Sequence, residues 1–155
     1  MQLYKMDKPQ CLLYAAAMVL GESPYNLIQE IGHDGMDVVW PKLSPPMCYR
    51  SMHIQEIIDC FVARGFGLMP VEHKPLQAPG EGSTPISTFN NSDERFYHHI
   101  EGHDAILIGR KLHSSDYGHA WAWCHKSQTC YDPNGFLSKL SDYIITEAWI
   151  KVKMI

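Results

Sequence analysis

Three residues far apart in this chain have the types needed for nucleophilic and acid–base chemistry: Cys11, His119 and Asp132. Cys11 opens the apolar run CLLYAAAMVL, which reads as a helix stopped by Gly21. Unpaired N–H groups and the macrodipole at a helix N-terminus favour an anion, so a thiolate is stabilised there. A thiolate attacks carbonyl carbon. The plainer reading of Cys11 is a small buried hydrophobe, the common state of a free cysteine. His119 opens HAWAWC, whose alternating small and large residues read as a strand. A histidine at a strand start is rigidly held, yet close to a sheet rim where a cleft can lie. Its plainer reading is a half-exposed surface histidine. Asp132 follows thirteen residues later, at the end of the candidate strand TCYD. A carboxylate there can accept from an imidazole N–H and fix the ring's orientation. DPNG is also a good type I turn sequence, so Asp132 has a structural reason to be present. The two roles are compatible.

Rival chemistries have weaker support. HHIEGHD places His99 and His103 four apart, but Gly102 stands where a zinc-protease motif requires an adjacent Glu-His pair. Gly102 and the strand after it also argue against a helix there. Cys124, His125 and Cys130 cluster without a second ligand pair at zinc-finger spacing. No metal site is expected. There is no GxGxxG or Walker loop, GFG at 65–67 reads as a helix stop, and no cofactor is implied.

With 155 residues, 45% hydrophobic and 19% charged, the composition is that of one globular domain, 1–155. The net charge of -4 and the lack of a basic stripe give no sign of a nucleic-acid partner. KVK near the end reads as the wet face of an edge strand. MQLYKMDKPQ lacks the apolar core of a signal peptide, and no apolar run approaches the ~20 residues that span a bilayer. The expectation is a cytoplasmic protein with no membrane partner. Five cysteines, at 11, 48, 60, 124 and 130, fit reduced thiols there. Cys60 reads as core, and a cross-strand Cys124–Cys130 pair is a minor alternative.

The elements that must position these residues follow from periodicity and punctuation. After the first helix, ESPYNLIQEIG predicts a second, capped by Ser23, started at Pro24 and ended by Gly32. MHIQEIIDCFVARG predicts a third, with Ile54, Ile57, Ile58, Phe61 and Val62 at helical spacing and Gly65 as its stop. Residues 75–95 read as loop around a short strand, PISTF. AILIG, HAWAWC and TCYD read as strands, LSDYIITEAW as a short helix capped by Ser141, and IKVKMI as a last strand. Helices first, then a mostly antiparallel sheet, is an α+β order.

Taken in register, CLLYAAAMVLG, AILIG, GHAWAWC, YDPNG and LSDYIITEAWI resemble the double-glycine leader peptidase (bacteriocin-processing) family of papain-like cysteine peptidases. The resemblance covers nearly the whole chain. It implies a papain-like fold: a buried N-terminal central helix on a mostly antiparallel sheet, and a short helix ending in an aromatic residue, here Trp149. It also implies Cys11 as nucleophile, His119 as general base and acid, Asp132 as orienting group, a peptide or protein substrate, and no cofactor. One position departs. The family's oxyanion-hole Gln, six residues before the Cys, is Lys5 here; Gln10 is the candidate substitute, with Gln2 further off. The family's Cys-Gly is Cys11-Leu12. The same half-reaction serves isopeptidase, deamidase and acyl-transfer chemistry. A papain-like binding or inhibitor module without efficient turnover is the alternative that the missing Gln favours. A zinc-binding interaction protein is the third. Oligomeric state is left open.

Overall fold

The computed structural model describes residues 1–72, 92–114 and 118–155. Among these the elements run α1 (Cys11–Leu20), α2 (Pro24–Ile31), α3 (Ile54–Val62), β1 (Phe66–Glu72), α4 (Ser92–Glu101), β2 (Ala105–Lys111), β3 (His119–Cys124), β4 (Thr129–Asp132), β5 (Phe136–Ser138) and β6 (Tyr143–Lys153). All six strands lie in one sheet ordered β1-β6-β2-β3-β4-β5, with every neighbouring pair antiparallel. The fold is α+β.

The alternation in β3 sorts the two faces of the sheet. Ala120 and Ala122 join Leu13, Ala15, Ala16 and Ala17 of α1 in one buried cluster. Small residues on both sides let the helix lie close against the strand. Trp121 and Trp123 point the other way, into a second cluster with Phe96 and Ile100 of α4. The Trp123 indole N–H donates to the Ile100 carbonyl at 2.8 Å, so the buried nitrogen is satisfied. Helix α1 is thus a spine with apolar residues on every side, as its composition predicts, and Gly21 closes it at φ 75°. Helix α2 starts where expected, the Ser23 side chain accepting from the Asn26 N–H and Pro24 in the first turn.

Several expectations are corrected. The segment read as a helix capped by Ser141 is a single 3-10 turn, Leu140–Asp142, followed directly by β6, which also contains Trp149. KVK does not lie on an edge strand: β6 sits between β1 and β2, and Lys151 donates to the Val19 carbonyl at 2.9 Å, at the C-terminal end of α1. Strand β1 begins at Phe66, inside the GFG read only as a helix stop. Helix α3 ends at Val62, before Gly65. His98 and His99 lie in the last turn of α4, a helix judged unfavourable there; it ends before Gly102. PISTF lies outside the described residues. Cys124 and Cys130 are free thiols, Cys124 opposite Thr129 and Cys130 opposite Trp123, and Cys60 is buried in the core.

Candidate active site

The N-terminus of α1 meets the start of β3 and the end of β4 at one end of the sheet. Cys11 is the first residue of α1, partly buried, and its Sγ lies 3.8 Å from the carbonyl oxygen of Gly118, 107 positions away. Gln10 is the N-cap residue and makes no side-chain cap. The first N–H groups of the helix, that of Cys11 among them, are therefore not taken by the usual capping oxygen.

His119 follows Gly118. Its Nε2 is 3.0 Å from Asp132 Oδ2, with the histidine side chain 15% exposed and the aspartate fully buried. That leaves Nδ1 as the ring nitrogen not committed to Asp132, and Cys11 is close enough to bear on the titration of His119. Burial alone disfavours the imidazolium. Hydrogen bonds to Asp132 and Cys11, with the charges of both, outweigh it and push the His119 pKa up to about 9. Burial likewise raises the pKa of Asp132, but hydrogen bonds from His119, the Asn134 N–H and Tyr143 hold it below the ordinary carboxylate range. Both shifts favour the charged forms, imidazolium and carboxylate.

Asp132 makes its turn contact and its histidine contact with different carboxylate oxygens. Oδ1 accepts from the Asn134 N–H at 2.9 Å, and the Asp132 carbonyl accepts from the Gly135 N–H at 2.9 Å, which forms the turn. Oδ2 accepts from His119 and, at 2.7 Å, from the Tyr143 hydroxyl. The Ser138 Oγ is 2.5 Å from the Tyr143 Oη, and since Tyr143 spends its one proton on Asp132, Ser138 is the donor. The Trp121 ring contacts both partners of that oxygen. It stacks on Tyr143 at 3.9 Å between centroids and on His119 at 5.7 Å.

The segment before Cys11 is strapped to the same turn: the Met6 N–H donates to the Pro133 carbonyl at 2.7 Å. Lys5 packs on Gly135, where an added Cβ would come within 2.9 Å of the Lys5 side chain. Gln2 is exposed. Gln10 is buried beside Cys11, and its Nε2 donates to the Asp34 carbonyl at 2.8 Å.

Cys11 and Gly118 form part of the wall of a groove of about 440 Å³, shared with Leu12, Trp40, Met47 and Met52. Among the described residues no three His, Cys, Asp or Glu side chains converge as metal ligands, and no helix is long and apolar enough to cross a membrane.

Sequence reasoning missed Trp121, Tyr143 and Ser138. Period two in HAWAWC was the available signal for Trp121, because it places residue 121 on the face of residue 119. Tyr143 was hidden by reading its strand as a helix. No protein-family model matches the chain, and no curated protein matches it in sequence.

Proposed function

We propose that this protein is a cysteine peptidase or related amide hydrolase of papain-like type, working through Cys11, His119 and Asp132. The observation that carries the reading is the buried Asp132–His119 pair at 3.0 Å, held at the sheet end that the helix-terminal Cys11 reaches from 107 residues away at Gly118. Structural need alone does not explain a fully buried carboxylate spent on a histidine beside a thiol. A turn requires only Oδ1.

In the proposed cycle the reactive state is the ion pair in which the Cys11 proton already resides on His119, a thiolate facing an imidazolium steadied by Asp132. The thiolate attacks the amide carbonyl carbon, and the carbonyl electron pair moves to oxygen. The Cys11 N–H at the start of α1 is a donor for that oxyanion. The tetrahedral species collapses as the C–N bond breaks, and His119 gives its proton to the leaving amine. His119 then deprotonates water, which attacks the thioester. The acid leaves, and the thiol is restored. No cofactor enters these steps.

A second reading, a binding or inhibitor module with little turnover, is favoured by one observation: the Gln10 amide is engaged by Asp34, and Lys5 sits on the turn, so neither offers an obvious second oxyanion donor. Such a donor is worth ~3–4 kcal/mol of barrier. A peptide library incubated with wild type and Cys11→Ala in parallel decides between them. Cleavage by wild type alone supports the hydrolase. Retention of a library peptide by both proteins, with no product from either, supports the module.

A further inference from the structure

We infer that the groove beside Cys11 binds a bulky, uncharged apolar side chain on the acyl side of the bond attacked. This inference rests on Cys11 being the nucleophile. A carbonyl in reach of Sγ must lie against the wall to which Cys11 and Gly118 belong, and the groove opens from that wall. His119 is not on the wall, although it must protonate the leaving amine. The leaving group therefore lies toward His119, and the acyl portion lies in the groove. Its remaining lining is predominantly apolar, and Arg50 is the one charged side chain on it, already paired with Glu56 at 3.6 Å. At about 440 Å³ the groove is within the range of small-molecule sites and far larger than a glycine needs.

Part of the groove's lining stands open to water. Trp40 is 55% and Met47 66% exposed, and both sit on the segment joining α2 to α3. That segment is pinned at its base by the Val38–Tyr49 bridge, by Arg50 N–H to the Asp37 carbonyl at 2.7 Å, and by Ser51 N–H to the Gly35 carbonyl at 2.8 Å. Large apolar side chains held open to water beside a nucleophile mark a binding surface. Met47 and Met52 add adaptable, polarisable contacts suited to several apolar shapes. A glycine next to the scissile bond would leave Trp40 and Met47 facing water. The structure thus argues for leucine- or phenylalanine-like residues at that place.

Acetyl-Leu, acetyl-Phe, acetyl-Gly and acetyl-Asp chloromethyl ketones test this. In each the thiolate displaces chloride and forms a thioether. Rates at Cys11 are divided by the iodoacetamide rate of the same protein, which removes differences in thiol reactivity. The Leu and Phe reagents should exceed Gly by at least about tenfold, with Asp no faster than Gly. In Trp40→Ala and Met47→Asp, two exposed positions, the Leu-to-Gly ratio should fall toward one. A ratio near one in wild type, or faster reaction with Gly or Asp, overturns the groove assignment and leaves Cys11 as nucleophile standing. A second arm does not need a reactive thiol: Cys11→Ala is titrated with acetyl-leucinamide and acetyl-glycinamide while the Met47 and Met52 methyl resonances are followed. Shifts with leucinamide alone support the groove, and no difference between the two sinks it. If Cys11 reacts with no electrophile, the hydrolase proposal fails, and this titration alone decides the groove.

Discussion

The Tyr143 hydroxyl and the His119 ring share one acceptor, Asp132 Oδ2, at 2.7 and 3.0 Å. Two donors on one buried oxygen fix its position in two directions, and Trp121 stacks on the rings of both donors. Tyr143→Phe keeps the stack and removes one donor. A hydrogen bond to a charged group contributes about 1.5–3 kcal/mol, so unfolding in urea should show a loss of that order. Tyr143 also helps keep Asp132 below the ordinary carboxylate range. Stability from such a carboxylate is present above its unfolded pKa and lost as pH falls through the folded value. In Tyr143→Phe the acid-side loss should begin at higher pH than in wild type. An unchanged acid limb would mean that the tyrosine only packs.

The alkaline side is set by His119. Its folded pKa of about 9 lies above the ordinary histidine value of about 6.5. The stability it contributes is therefore complete below pH ~6.5 and lost as pH rises through about 9. The shift corresponds to roughly 3 kcal/mol at most. The stability difference between wild type and His119→Ala should shrink over that window, and Asp132→Asn should flatten it, since the amide brings no charge. The proposed hydrolysis, which would use the imidazolium–thiolate pair, should fall on the same alkaline limb. A difference independent of pH between 6 and 10 would show that the ion pair does not form.

Thiol labelling separates Cys11 from the other cysteines. Cys48, Cys60, Cys124 and Cys130 are all buried, and burial pushes Cys60 up to about 11 and Cys130 up to about 12. Cys11 is partly exposed and next to an imidazolium. Iodoacetamide at pH 6, read by peptide mass spectrometry, should modify Cys11 first, and His119→Ala should slow it by about tenfold or more. Equal labelling of several thiols would count against activation.

Local signals carried much of this arrangement. The all-apolar run after Cys11, with Gly21 behind it, specified a buried helix. The Ala–Trp alternation specified a strand with two unlike faces. DPNG located Asp132 at a turn, but not which of its oxygens was free for His119. That depends on Tyr143, eleven residues on in a strand read as a helix. The misreading has a physical cause. Buried positions in β6 run 143, 145, 148, 150, so the period of two breaks at a bulge and the spacing imitates a helix. Gln10 was singled out for its type and place. Its engagement by Asp34 arises from a loop contact that spacing does not encode.

The same bulge provides the last prediction. Ile108 pairs with Glu147 and Gly109 with Ile145, so Thr146 is the extra residue, and its hydroxyl donates to the Ile108 carbonyl at 3.0 Å. The bulge brings the Ile144 carbonyl over Gly109, and a Cβ there would collide with that oxygen. On its other side Gly109 pairs with His119. Backbone does not yield as the end of a flexible side chain does, so Gly109→Ala must push β2 and β6 apart beside His119. Overpacking of this kind costs about 1–3 kcal/mol. The strain should also loosen the His119–Asp132 bond, lowering the His119 pKa measured by ring NMR below about 9. Gly102→Ala is the control: a Cβ there meets nothing within 4 Å, so both stability and the His119 titration should stay as in wild type. If Gly109→Ala is as stable as Gly102→Ala, β6 does not approach β2 this closely. If Gly109→Ala is destabilised but His119 titrates normally, the bulge supports the sheet without setting the site.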